Sequence, residues 1–70
     1  MNSLSAREIE IVKLIVEEKS SLEISQQLNI SIRTVETHRK NIAKKIGSAS
    51  LVAITKYAIQ EKIIHIKINN

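Results

Sequence analysis

SIRTVETHRKNIAKKIG, residues 31–47, is the stretch on which the reading of this 70-residue chain turns. It opens on a serine, a residue suited to cap a helix, and closes on the only glycine in the sequence. The fifteen residues between them contain neither Gly nor Pro. That is enough for about four turns at 3.6 residues per turn. At this period Val35, Ile42 and Ile46 form one apolar stripe. Arg33, Thr37, Lys40 and Lys44 share the same spacing on the opposite side, flanked by Glu36 and Arg39. A helix buried on one side and basic along the other fits the width of a DNA major groove. The stripe alone is equally compatible with an ordinary solvated helix face.

The charge distribution bears on that choice. Residues 1–23 hold three basic side chains against five acidic ones, whereas residues 33–45 hold five basic side chains against Glu36 alone. The formal net charge of +4 is therefore concentrated around the central helix. Such polarisation favours an anionic partner, of which nucleic acid is the commonest. An anionic membrane surface is a poorer match, because this helix lacks the bulky apolar face that interfacial helices insert.

Composition bounds the fold. Seventy residues make a single domain, 1–70, ordered over about 4–64 with 65–70 as a tail. At this size a core supplies only about 3–5 kcal/mol. There is no Cys, and Tyr57 is the only aromatic residue, so the core must come from Ile, Leu, Val and Ala. No apolar run is long enough for a membrane span and no signal-peptide pattern is present. These features predict a cytoplasmic location.

Outward from the central stretch, Ser5-Ala6-Arg7-Glu8 reads as a capping box that starts helix 1, about 6–17. Its apolar arc of Ile9, Val12, Ile15 and Val16 is widened by Ile11 and Leu14, which predicts a helix at the hub of the core. Ser20-Ser21-Leu22-Glu23 is a second box, starting helix 2, about 21–28, with Ile24 and Leu28 facing inward. Asn29 can take the left-handed conformation needed to leave that helix. Ile30 is expected to plug the core and Ser31 to cap helix 3, about 32–46. So short a connection forces a steep crossing, the helix-turn-helix arrangement. Gly47 ends helix 3, and helix 4 follows at about 51–62. The fold class is all-α, a four-helix bundle.

In helix 4, Leu51, Ile54 and Ala58 are expected to face the core. Ala53, Lys56, Tyr57 and Gln60 lie on another side and suit an antiparallel pair between two copies of the chain. An ordinary surface carrying one snorkelling Tyr fits the same residues. From Ile63 onward the period changes: Ile64, Ile66 and Ile68 alternate with His65 and Lys67, as in a strand without a partner.

No motif for catalysis, a cofactor or a metal is present. His38 falls between Val35 and Ile42, which predicts packing at the core edge. A phosphate contact by its outer nitrogen is the alternative. His65 has no surrounding ligand set. An enzyme is not expected.

Leu4-Ser5-x-Arg7-Glu8, Glu23-Ile24, Leu28-x-Ile30-Ser31, Thr34-Val35, His38, Ile42 and Lys45-Ile46 together resemble the LuxR/FixJ/NarL-type helix-turn-helix domain. The stretch from Arg33 to Arg39 is most similar to the FixJ-like response regulators. The resemblance spans about 4–64. It implies a four-helix domain of a bacterial transcription regulator that binds double-stranded DNA as a dimer on an inverted repeat. Helix 3 would enter the major groove, and helix 4 would supply a weak homodimer contact through Ala53, Lys56, Tyr57 and Gln60. By position, Glu36, Thr37, Arg39 and Lys40 fall where base edges are read. Ser21, Ser31, Arg33, Thr34, Lys44 and Lys45 fall where phosphates are contacted. RNA polymerase is a further candidate partner.

Three departures accompany the resemblance. Glu18 and Lys19 replace a usual Gly and apolar residue after helix 1. Ser25 replaces a usual Ala where helices 2 and 3 approach, and fits if its hydroxyl bonds back to the helix. Lys62 replaces the Gly that closes helix 4, so that helix is expected to run long or fray. Two other readings share these residues. One is a sigma-factor-like promoter reader; the other is a protein-interaction module whose basic helix 3 binds an acidic partner.

Overall fold

The computed structural model describes residues 4–65. They form α1 (Ala6–Val16), α2 (Ser21–Leu28), α3 (Ile32–Ile46) and α4 (Leu51–Gln60). No strand occurs among the described residues.

Each helix begins on a serine. Ser5 and Ser20 build full capping boxes. Their hydroxyls accept from the backbone N–H of Glu8 and Glu23 at 3.1 Å, and those carboxylates accept from the serine N–H groups at 2.8 Å. Ser31 and Ser50 cap α3 and α4 through the N–H groups of Thr34 and Ala53, both at 3.0 Å. Two of the four orphan donors at α1 and α2 are thus satisfied within a single turn.

The exits are also local. α1, α2 and α4 end in a left-handed residue, namely Glu18 (φ 63°), Asn29 (φ 56°) and Lys62 (φ 58°), and Gly47 (φ 94°) ends α3. After α1, the Glu18 and Lys19 N–H groups bond the carbonyls of Ile15 and Leu14. After α4, Lys62 and Ile63 do the same to Ile59 and Ala58. This is the Schellman geometry, which satisfies the last carbonyls; after α4 it leaves Ile63 against the core. Helix 4 therefore stops at Gln60 instead of running to the expected 62. Lys62 adopts the conformation that a Gly would have taken, and the two bonds at the helix end offset its steric cost.

The core consists of Ile11, Val12, Leu14 and Ile15 from α1, Ile24 from α2, Val35 and Ile42 from α3, and Ile54 and Ala58 from α4. α1 thus supplies the most buried apolar side chains. α3, however, packs substantially against all three others. The hub role expected of α1 is shared: α1 fills the core and α3 organises it. Leu4, Leu28, Ile30, Ile46, Ile63 and Ile64 pack around the margin. Leu51 does not join the core; at the first position of α4 it is exposed. Ser25 is buried and its hydroxyl donates to the Leu22 carbonyl at 2.7 Å, so the hydroxyl is accommodated beside α3 at no loss of hydrogen bonding. The strand-like alternation expected in the tail falls largely on residues 66–70, outside the described residues; Ile63 and Ile64 lie against the core.

Candidate nucleic-acid interface

Packing fixes which side of α3 is presented. Val35 and Ile42 are fully buried and Ile46 is half-buried. Arg33, Thr34, Glu36, Thr37, Lys40 and Lys44 are exposed, and Arg39 is half-buried at the margin of that face. The periodic reading of the helix thus matches its burial. His38 is half-buried, at the core edge.

The start of α3 differs electrostatically from the two helices before it. At α1 and α2 the third position is a glutamate that closes the capping box and offsets the helix dipole. In α3 that position is Thr34, and the first turn holds no acidic residue. The Ser31 and Thr34 hydroxyls lie 2.9 Å apart, beside Arg33. Uncompensated N–H groups, two hydroxyls and a guanidinium at one helix start suit an anion such as a backbone phosphate.

Along the exposed side, the Thr37 hydroxyl donates to the Arg33 carbonyl at 3.0 Å, which leaves its methyl group and acceptor lone pairs for other contacts. Glu36 is tied across the turn. Its Oε2 accepts from the Ser21 hydroxyl at 3.1 Å and lies 3.9 Å from the Arg39 Nε. Ser21 therefore faces Glu36 as well as solvent.

Lys45 stands apart from its neighbours. Its Nζ is 2.8 Å from Glu8 Oε1, the oxygen that also caps α1. The hydrogen bond from Lys45 and the Ser5 backbone N–H hold the Glu8 carboxyl below its ordinary range, against the opposing effect of burial. Glu23, at the exposed start of α2, is likewise held low by the Ser20 backbone and hydroxyl. The Lys45–Glu8 pair ties α3 to the first turn of α1. Residues 37 positions apart in the chain are joined, and periodicity alone could not have paired them.

On α4, Ala53 and Tyr57 are half-buried, and Lys56 and Gln60 are exposed. Val52 and Ile59 are also exposed, at 65% and 40%, and share the side of the helix that carries Lys56. Sequence reasoning passed over these two. The available signal was their i, i+4, i+7 spacing with Lys56 once Ile54 and Ala58 are assigned to the core. No group of three or more His, Cys, Asp or Glu among the described residues could hold a metal ion. No helix among them is long and apolar enough to cross a membrane.

The geometry invites comparison with known DNA-binding domains. The family of bacterial regulatory proteins, luxR family, matches residues 2–58. The chain belongs to the luxR family. This luxR-family domain is 41% identical over 61 residues to the transcriptional regulatory protein MctR of Rhizobium johnstonii. It is 38% identical over 61 residues to the oxygen regulatory protein NreC of Staphylococcus aureus. In both cases the match covers 87% of this chain and 28% of the relative. The luxR-family domain is a helix-turn-helix DNA-binding domain of transcription regulators, a family of binding modules and not of enzymes. In this fold α2 and α3 are the helix-turn-helix pair.

Proposed function

We propose that this domain reads a specific operator in double-stranded DNA as a weak dimer on an inverted repeat, in the cytoplasm of a bacterium. The observation that carries the reading is the exposed basic side of α3, set opposite the buried Val35 and Ile42. α3 lies in the major groove. Glu36, Thr37, Arg39 and Lys40 discriminate bases, with Lys40 directed to guanine O6/N7 and Thr37 to a thymine methyl. Ser31, Arg33, Thr34 and Lys44 contact phosphates and fix the docking, aided by the backbone N–H groups at the starts of α2 and α3. Lys45, held by Glu8, serves chiefly to fix α3 on α1 and approaches phosphate only at its exposed margin.

α4 supplies the contact between copies through Ala53, Lys56, Tyr57 and Gln60. The exposed Val52 and Ile59 support this surface, because apolar side chains at helical spacing favour a contact that removes them from water. RNA polymerase is the partner that such a promoter-bound dimer would meet.

Selection of the domain against a random duplex library tests the reading. Enrichment of an inverted repeat with fixed spacing is the expected result. Enrichment of a single half-site would retain sequence reading and remove the dimer. Binding that is sensitive to salt but indifferent to sequence would overturn operator reading.

A further inference from the structure

Glu36 is the one acidic side chain within a basic stretch, and two parts of the fold hold it. Ser21 donates to its Oε2 from α2, and Arg39 approaches the same oxygen from one turn along α3. Glu36 is nevertheless 56% exposed. Arg39 is less free. Its side chain is half-buried, with Nη1 sealed from solvent and Nε 3.9 Å from the Glu36 carboxylate. An open groove of about 440 Å³, lined by Glu36, Arg39, Lys40, Ala43 and Ala49, lies beside the pair.

We infer that Ser21 and Arg39 are positioning residues for base readout: they hold one carboxylate oxygen of Glu36 so that the other meets cytosine N4–H₂ in the major groove. The inference rests on the operator-reading proposal and adds to it a role for α2 in sequence discrimination. A free glutamate would lose its rotamer freedom on docking, whereas one tied at Oε2 has lost much of it already. Cytosine follows from the chemistry. Guanine and thymine present acceptors that repel a carboxylate, and adenine sets its N7 acceptor beside its amino group, whereas cytosine offers the amino donor alone. Arg39 also offsets the repulsion between Glu36 and the phosphates. The 3.1 Å hydrogen bond from Ser21 should matter more than the 3.9 Å exposed ion pair with Arg39.

The test compares base preferences of the full chain and its variants by library selection, then by titration of a site panel varied at one base pair. In the unaltered chain, one position should prefer cytosine by about tenfold, the low end of what a good base contact gives. Ser21→Ala should reduce that preference to about threefold, with affinity for random duplex changed by less than about twofold. Arg39→Ala should reduce the preference by a smaller factor and, because a cation is lost, weaken all duplexes as well. Ser21→Thr, which keeps the hydroxyl, should restore the preference. Glu36→Ala should abolish it, and adding Ser21→Ala to that variant should have no further effect at the position. A uniform weakening by Ser21→Ala on all sequences would make Ser21 a phosphate contact and overturn the inference. So would an operator selected normally by the unaltered chain whose base preferences are untouched in Glu36→Ala; operator reading would then stand alone. If the unaltered chain selects no sequence, both fall together.

Discussion

Lys44 and Lys45 are consecutive residues of identical chemistry on one helix, and the fold uses them differently. Lys44 is exposed beside the basic side of α3. Lys45, turned about 100° further around the axis, meets Glu8 at 2.8 Å and fastens α3 to the start of α1. The difference shows that charge counts describe a surface poorly. Rotation about the helix decides whether a cation serves the fold or remains available to a ligand. The same division separates two glutamates: Glu8 is buried and structural, Glu36 exposed on the outer side of α3.

The buried side gives the largest expected effect. Ile42→Ala, at a fully buried position on α3, should cost about 2–5 kcal/mol in urea unfolding. For a domain this small that is much of its stability. A loss below about 1 kcal/mol would mean that the inner face of α3 is not firmly packed.

Lys45→Ala should come next, at about 1–2 kcal/mol, since it leaves the Glu8 carboxylate at the core edge with fewer partners. It should also alter the dependence of stability on pH. The folded pKa of Glu8 lies below its model-compound value of 4.5. Between these two values the unfolded chain binds more protons, so the contribution is complete above about pH 4.5 and is lost as pH falls through the folded value. Removing its largest cause should shrink the difference in unfolding free energy between pH 7 and the acid limit. Lys44→Ala should leave both stability and that difference unchanged; an equal acid response in the two variants would erase the contrast between them.

DNA binding sharpens the comparison from the other side. Lys40→Ala should cost about 1–3 kcal/mol on the operator and relax one base position, whereas Lys44→Ala should weaken all duplexes alike and lower the salt slope by about one. Parallel losses on specific and random duplexes in both variants would remove the division between reading and docking. The smallest effect concerns the helix ends. Lys62→Gly should stabilise by about 0.5 kcal/mol, because relief of a left-handed side chain slightly exceeds the added freedom of the unfolded chain. Thermal unfolding of the two forms would resolve it.

The residues that were legible in the sequence are those whose partners lie within about one helical turn. The Ser5–Glu8 and Ser20–Glu23 boxes, the left-handed exit at Asn29 and the two sides of α3 all follow from spacings of three or four residues. What escaped depends on distance in the chain or on the path of the backbone. Glu18 and Lys62 turn left-handed to close the bonds that end α1 and α4, although neither side chain favours it. Leu51 reads as core by period, yet it stands at the very start of α4, where it is exposed. In the candidate interface, the exposed row of Arg33, Thr37, Lys40 and Lys44 could be read from the helical period. The Ser21–Glu36 hydrogen bond could not, because it needs α2 already crossed over α3.

The serine at the start of every helix bears on how the chain reaches this shape. Each cap closes within three residues, and each left-handed exit is fixed by bonds to the helix it ends. Little loop-closure entropy is spent before these boundaries exist, the condition under which helical domains fold in microseconds to milliseconds. The Glu8–Lys45 bond, by contrast, joins distant parts of the chain and has nothing to join until α1 and α3 have docked. It therefore acts as a late latch: its strength governs how seldom the finished domain opens more than how quickly it forms.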